Sequence, residues 1–141
     1  MGAASFRGEH GAAAARVASA TKAVQGELAR LGGDPRPSQL GPLERGATEA
    51  RRVLVAASEW DVAGAGQEGA EEEDVPRAET QVTEGASGLA DAMSALQAYA
   101  RAPSAAALAR FEQKLAPARQ QWNEGISQLW YLAHAAGAPT L

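Results

Sequence analysis

A chain of 141 residues is long enough to close one hydrophobic core unaided, and the absence of cysteine excludes disulfides, thiolate metal sites and cysteine nucleophiles. The apolar residues are mostly alanine and only 5% of the chain is aromatic, so its core must pack helices closely on small side chains. The net charge of −4 is concentrated: Glu68, Glu71, Glu72, Glu73, Asp74 and Glu79 stand against Arg77 alone, leaving 12 bases and 11 acids elsewhere and no basic stripe for nucleic acid.

No apolar run approaches the ~18 residues of a membrane span, and the first residues hold no apolar signal-peptide segment. As it stands the chain reads as cytoplasmic, or as extracytoplasmic if an export signal has been trimmed. Nowhere do β-branched and aromatic residues alternate over four or more positions, which predicts an all-α protein.

Taken in order, Val17, Ala20 or Thr21, Val24, Leu28 and Leu31 keep the three-four spacing of one helix face, predicting a first helix from Ala3 to Leu31. Gly32-Gly33 ends it, and Asp34-Pro35-Arg36-Pro37 forms a turn. A second helix opens near Ser38 with Leu40, Leu43, Ala47, Ala50, Leu54, Ala57 and Trp60 or Asp61 inward, and fades near Ala63. Gly64 to Arg77, GAGQEGAEEEDVPR, is too polar to offset its ordering entropy and is expected to be a mobile acidic loop. The third helix is expected from Ala78 to Arg101, on Val82, Ala86, Leu89, Met93, Leu96 and Ala100. Gly85 and Gly88, near its start, suit either a close approach by a neighbouring helix or simply a weaker helix start, the first reading being preferred.

The longest stripe runs from Ser104, a good N-cap, to Gly137: Leu108, Phe111, Leu115, Ala118, Trp122, Ile126, Leu129 and Ala133. Its register passes through Pro117 unbroken, which predicts a kink and not a break. Four such segments joined by short, long and short connections make a single domain over residues 1–141, an antiparallel up-down-up-down four-helix bundle. That topology gathers Phe6, His10, Trp60, Trp130, Tyr131 and His134 at one end.

Asn123, Ser127, Trp130 and His134 fall at i, i+4, i+7 and i+11 beside the core stripe of the last helix, with Tyr131 alongside. A polar and aromatic stripe of this kind suits contact with a protein partner or a second copy of the chain. The same rings also suit capping of the bundle end, or cover by the N-terminal arm near Phe6. The alternative function is a small-ligand carrier with a pocket among Trp60, Trp122 and Trp130.

Other chemistries lack their motifs. The two histidines, His10 and His134, form no i, i+4 pair and no Glu-x-x-His, so no metal ligands are assigned. Met93 and His134, the pair conceivable as haem ligands, are expected at different heights. No Gly-x-Ser-x-Gly elbow or phosphate-binding loop occurs, so no catalytic residues and no cofactor are expected.

Overall fold

Each apolar stripe forms a helix. The computed structural model describes residues 2–61 and 70–141, with no strand among them. The helices are α1 (Ala3–Ala29), α2 (Pro37–Ser58), α3 (Ala70–Arg101) and α4 (Ala105–Leu132). Their ends follow local chemistry. Gly32, at φ +67°, takes the left-handed conformation past α1. Pro37 opens α2 where its missing N–H costs nothing. Ser104 caps α4, its hydroxyl accepting from the Ala107 N–H at 3.0 Å. Among the described residues, no helix is long and apolar enough to cross a membrane.

Contacts across the helices run in opposite directions along each pair, so neighbours are antiparallel. Arg51 donates to Ser94, Gln97 to Thr48 and Arg101 to Glu44 between α2 and α3. Between α1 and α2, Val24 lies by Gly46 and His10 by Trp60. Gly11 of α1 meets Trp130 of α4, while Gln25 and Leu28 share a cleft with Phe111 and Leu115 at the other end. The pairing of α3 with α4 is the most extensive and that of α1 with α4 the least.

The α3–α4 seam is close because glycines line it. A Cβ on Gly85 would stand 2.7 Å from the backbone nitrogen of Trp122 and 3.0 Å from its Cα. One on Gly125 would stand 2.7 Å from the carbonyl oxygen of Ala78, and one on Gly88 would lie 2.8 Å from the Ala118 Cβ. Around this seam Val82, Ala86, Leu89, Met93, Leu96, Phe111, Trp122, Ile126 and Leu129 are almost wholly buried.

Besides α2, which ends at Ser58 and not near Ala63, two boundaries differ from the sequence reading. The third helix begins at Ala70, not Ala78, so the second half of the expected loop is helical, with Pro76 inside it. Glutamates are good helix formers and acids are favoured in first turns, where the macrodipole is positive. The inward stripe also extends back through buried Ala78 to buried Val75. Glu79, counted above with the acidic segment, is fully buried in α3. The mobility expected between Gly64 and Arg77 falls partly on residues 62–69, which lie outside the described residues. At the other boundary α4 stops at Leu132, five residues before Gly137.

Gly85→Ala therefore has nowhere to put its methyl group except against backbone. It is expected to destabilise by about 1–3 kcal/mol, the range for overpacking, despite alanine's better helix propensity. Gly8→Ala in α1, with no atom within 4 Å of the new Cβ, is expected to stabilise by about 0.5–1 kcal/mol. Urea unfolding of the two variants checks the opposite signs.

Candidate functional site

The bundle end predicted to gather aromatic residues is packed with them. His10 stacks on Trp60 with ring centroids 4.5 Å apart and planes 18° from parallel. Phe6 meets His10 at 4.9 Å and Trp60 edge-on at 5.9 Å, and Trp60 reaches Trp122 at 6.3 Å. Phe6 and Trp122 are wholly buried, and Trp130 is only 5% exposed beside Gly11. Phe6 and His10 of α1 thus pack against Trp60, which in turn meets Trp122, so two of the three tryptophans expected to line a ligand pocket lie in one ring cluster. Half-buried Trp60 also borders a cleft of about 360 Å³ between α1 and α2, lined by Arg16, Val17, Glu49, Arg52 and Val53. There the hydrogen bond from Arg52 holds the Glu49 carboxyl below its ordinary value.

The end of α4 is a feature that periodicity alone does not reveal. The Ala135 N–H donates to the Trp130 carbonyl at 2.9 Å and the His134 N–H to that of Tyr131 at 3.0 Å. These are the paired bonds of a Schellman motif, with His134 in the left-handed position at φ +55°. The chain then doubles back, passes Gly137 at φ +75°, and lies along α4. The Trp122 indole N–H donates to the Pro139 carbonyl at 3.0 Å. The Asn123 side chain accepts from the Leu141 N–H at 2.6 Å and donates to the Leu141 carbonyl at 2.8 Å. Ala135, Ala138 and Leu141 pack on the core. The one sequence signal for this strap is apolar residues continuing past a helix end, with Pro139 forbidding more helix.

The five residues assigned to partner contact therefore have different surroundings. Trp130 is inside the bundle and Asn123 is bonded to the strap, so neither is a free surface residue, contrary to the stripe reading. Ser127 is exposed, and His134 is exposed at the turn out of α4. Tyr131 is 75% exposed, the only large hydrophobic side chain so exposed among the described residues. It borders a cleft of about 560 Å³ between α3 and α4, shared with Asp74, Arg77, Gln81, Glu124, Ser127 and Gln128. Gln120 donates to Glu124 at 3.0 Å and Gln121 to Glu84 at 2.8 Å on the neighbouring surface.

His10 is buried in the ring cluster, its Nε2 3.9 Å from Glu9, while Met93 is wholly buried in α3. Among the described residues, no three His, Asp or Glu side chains converge as metal ligands would. Comparisons with protein-family models, with curated proteins and with solved structures yield no match to this chain.

Histidine is tolerated in the left-handed region but glycine carries no steric penalty there. His134→Gly is accordingly expected to stabilise by up to about 1 kcal/mol, in keeping with the usual glycine at this position. Thermal melting followed by circular dichroism checks it. By the same measurement Trp130→Ala is expected to cost about 3–5 kcal/mol, the range for emptying a buried aromatic site.

Proposed function

We propose that the protein is a non-catalytic helical interaction module that takes a protein partner on the outer edge of α4, with Tyr131 at the centre of the contact. The observation that carries this reading is the solvent exposure of the Tyr131 ring, the one large hydrophobic side chain so exposed among the described residues. Aromatic rings supply large contact area at small conformational cost, and tyrosine adds a hydroxyl for orientation. The adjoining cleft offers groups of both signs, Arg77 against Asp74 and Glu124, with Ser127, Gln81 and Gln128 as neutral donors and acceptors. Such a rim favours correctly oriented partners and repels mismatched charge.

Tyr131→Ala tests the reading. The variant is expected to melt within about 0.5 kcal/mol of the parent, as surface substitutions do, while association weakens by at least about tenfold, as for a residue central to a contact. Affinity capture with parent and variant chains, quantified against the parent, reads the partner. Light scattering from micromolar to near-millimolar protein reads self-association. An association that survives Tyr131→Ala unchanged, or a large fall in melting temperature, overturns the reading.

A further inference from the structure

The end of the bundle away from the ring cluster holds a cleft whose chemistry the Tyr131 contact does not use. There α1 and α4, which pair far less extensively than α3 and α4, leave a space of about 350 Å³. Tyr99 and Phe111, both almost wholly buried, line it together with the partly buried Leu28, Leu108 and Leu115. Into this apolar lining α1 sets one amide, that of Gln25. Thr21, one turn earlier on α1, is wholly buried. Neither the Thr21 Oγ1 nor the Gln25 Nε2 has a hydrogen-bond partner among the described residues, and both atoms are shielded from solvent. Buried donors are normally paired, and leaving one unpaired costs more than a typical hydrogen bond gains. Leucine at position 25 would complete the apolar lining without that cost.

We infer that this cleft is a binding site for a small uncharged ring compound that carries a carbonyl oxygen, with Gln25 as the residue that recognises the carbonyl. The volume falls in the range of small-molecule sites, and a mostly apolar lining with few placed polar groups is their usual composition. The last bond of a glutamine side chain is rotationally soft, so the Gln25 amide turns its N–H groups to an oxygen entering from the cleft. The donor then gains the acceptor it lacks. The apolar rings of the ligand meanwhile take the three leucines further out of water. Charge narrows the class. Glu112 is the one charged residue of the lining, and a carboxylate there disfavours an anion. The site lies at the opposite end of α4 from Tyr131, so a molecule bound here leaves the proposed protein contact open.

Prodan, an uncharged naphthalene bearing a propionyl ketone, is the probe. In proton–nitrogen correlation spectra of the full chain it is expected to shift the side-chain amide of Gln25 and the backbone amides of Leu28, Leu108 and Leu115. These shifts are expected to saturate with one midpoint and to leave Tyr131 in place. Prodan emission is expected to move to shorter wavelength over the same concentrations. Gln25→Leu is expected to weaken Prodan by about tenfold or more, because the buried ketone then has no donor. The same ring without the ketone, dimethylaminonaphthalene, is expected to bind parent and variant within about twofold. Circular dichroism shows whether the variant keeps the bundle, and if it does not, the Gln25 side-chain shift in the parent decides alone. Tyr131→Ala is expected to leave Prodan binding unchanged, which separates this cleft from the Tyr131 edge. Shifts centred on another cleft, or no saturation up to the solubility of the probe, overturn the inference. So does a folded Gln25→Leu variant that binds Prodan as the parent does.

Discussion

The contact between Gly85 and the backbone of Trp122 is the constraint on which the rest of the structure depends. With the Gly85 position this close to the peptide of the next helix, α3 and α4 approach to a distance that only a residue without a side chain allows. Two further small-residue contacts, Gly88 on Ala118 and Gly125 on Ala78, hold the same register along the seam. In a core poor in large side chains, close backbone approach supplies the dispersion contacts that bulky residues would otherwise make. The indole of Trp122 is thereby held at a fixed height, and both the ring cluster with Trp60, His10 and Phe6 and the anchoring of the strap follow from that height.

The bundle was legible because apolar spacing is a property of the chain itself. The stripes through Leu43, Ala47, Ala50, Leu54 and Ala57, and through Phe111, Ala118, Trp122, Ile126 and Leu129, are buried as their spacing requires. Helix boundaries were less legible, since they depend on competition between local terms. At Ala70 the favourable terms are glutamate propensity and the buried positions Val75 and Ala78, against the penalty of Pro76, and a composition rule weights the charges in the wrong direction. At Leu132 the helix could continue through three alanines by propensity alone. It stops because a left-handed turn at His134 lets the following residues pack on the core. Only the partner surface decides that balance, and it is not local.

The candidate stripe on α4 shows the same limit from another side. Asn123, Ser127, Trp130 and His134 share one flank by geometry, at 100° per residue, yet they do four different things. Trp130 is covered by α1, its ring lying beside Gly11. Asn123 is covered by the strap, Ser127 is open, and His134 matters for its backbone and not its imidazole. Spacing assigns residues to a face, and the neighbouring elements assign them their roles.

Those neighbours also set how α4 is held in the bundle. In a cyclic four-helix bundle each helix has two flanking seams, and α4 has one very close seam, with α3, and one loose one, with α1. On α1 the buried face mixes Phe6, Val17 and Val24 with His10, Thr21 and small alanines. A helix gripped on one side and lightly held on the other keeps fixed positions for the side chains beside the gripped seam, and there Trp122 and Asn123 anchor the strap. Local stability is uneven in such a structure, and the elements free to exchange partners are those with few buried contacts of their own. By this reasoning the tight α3–α4 packing comes first: it gives Trp122 and Asn123 the fixed geometry on which the strap is anchored.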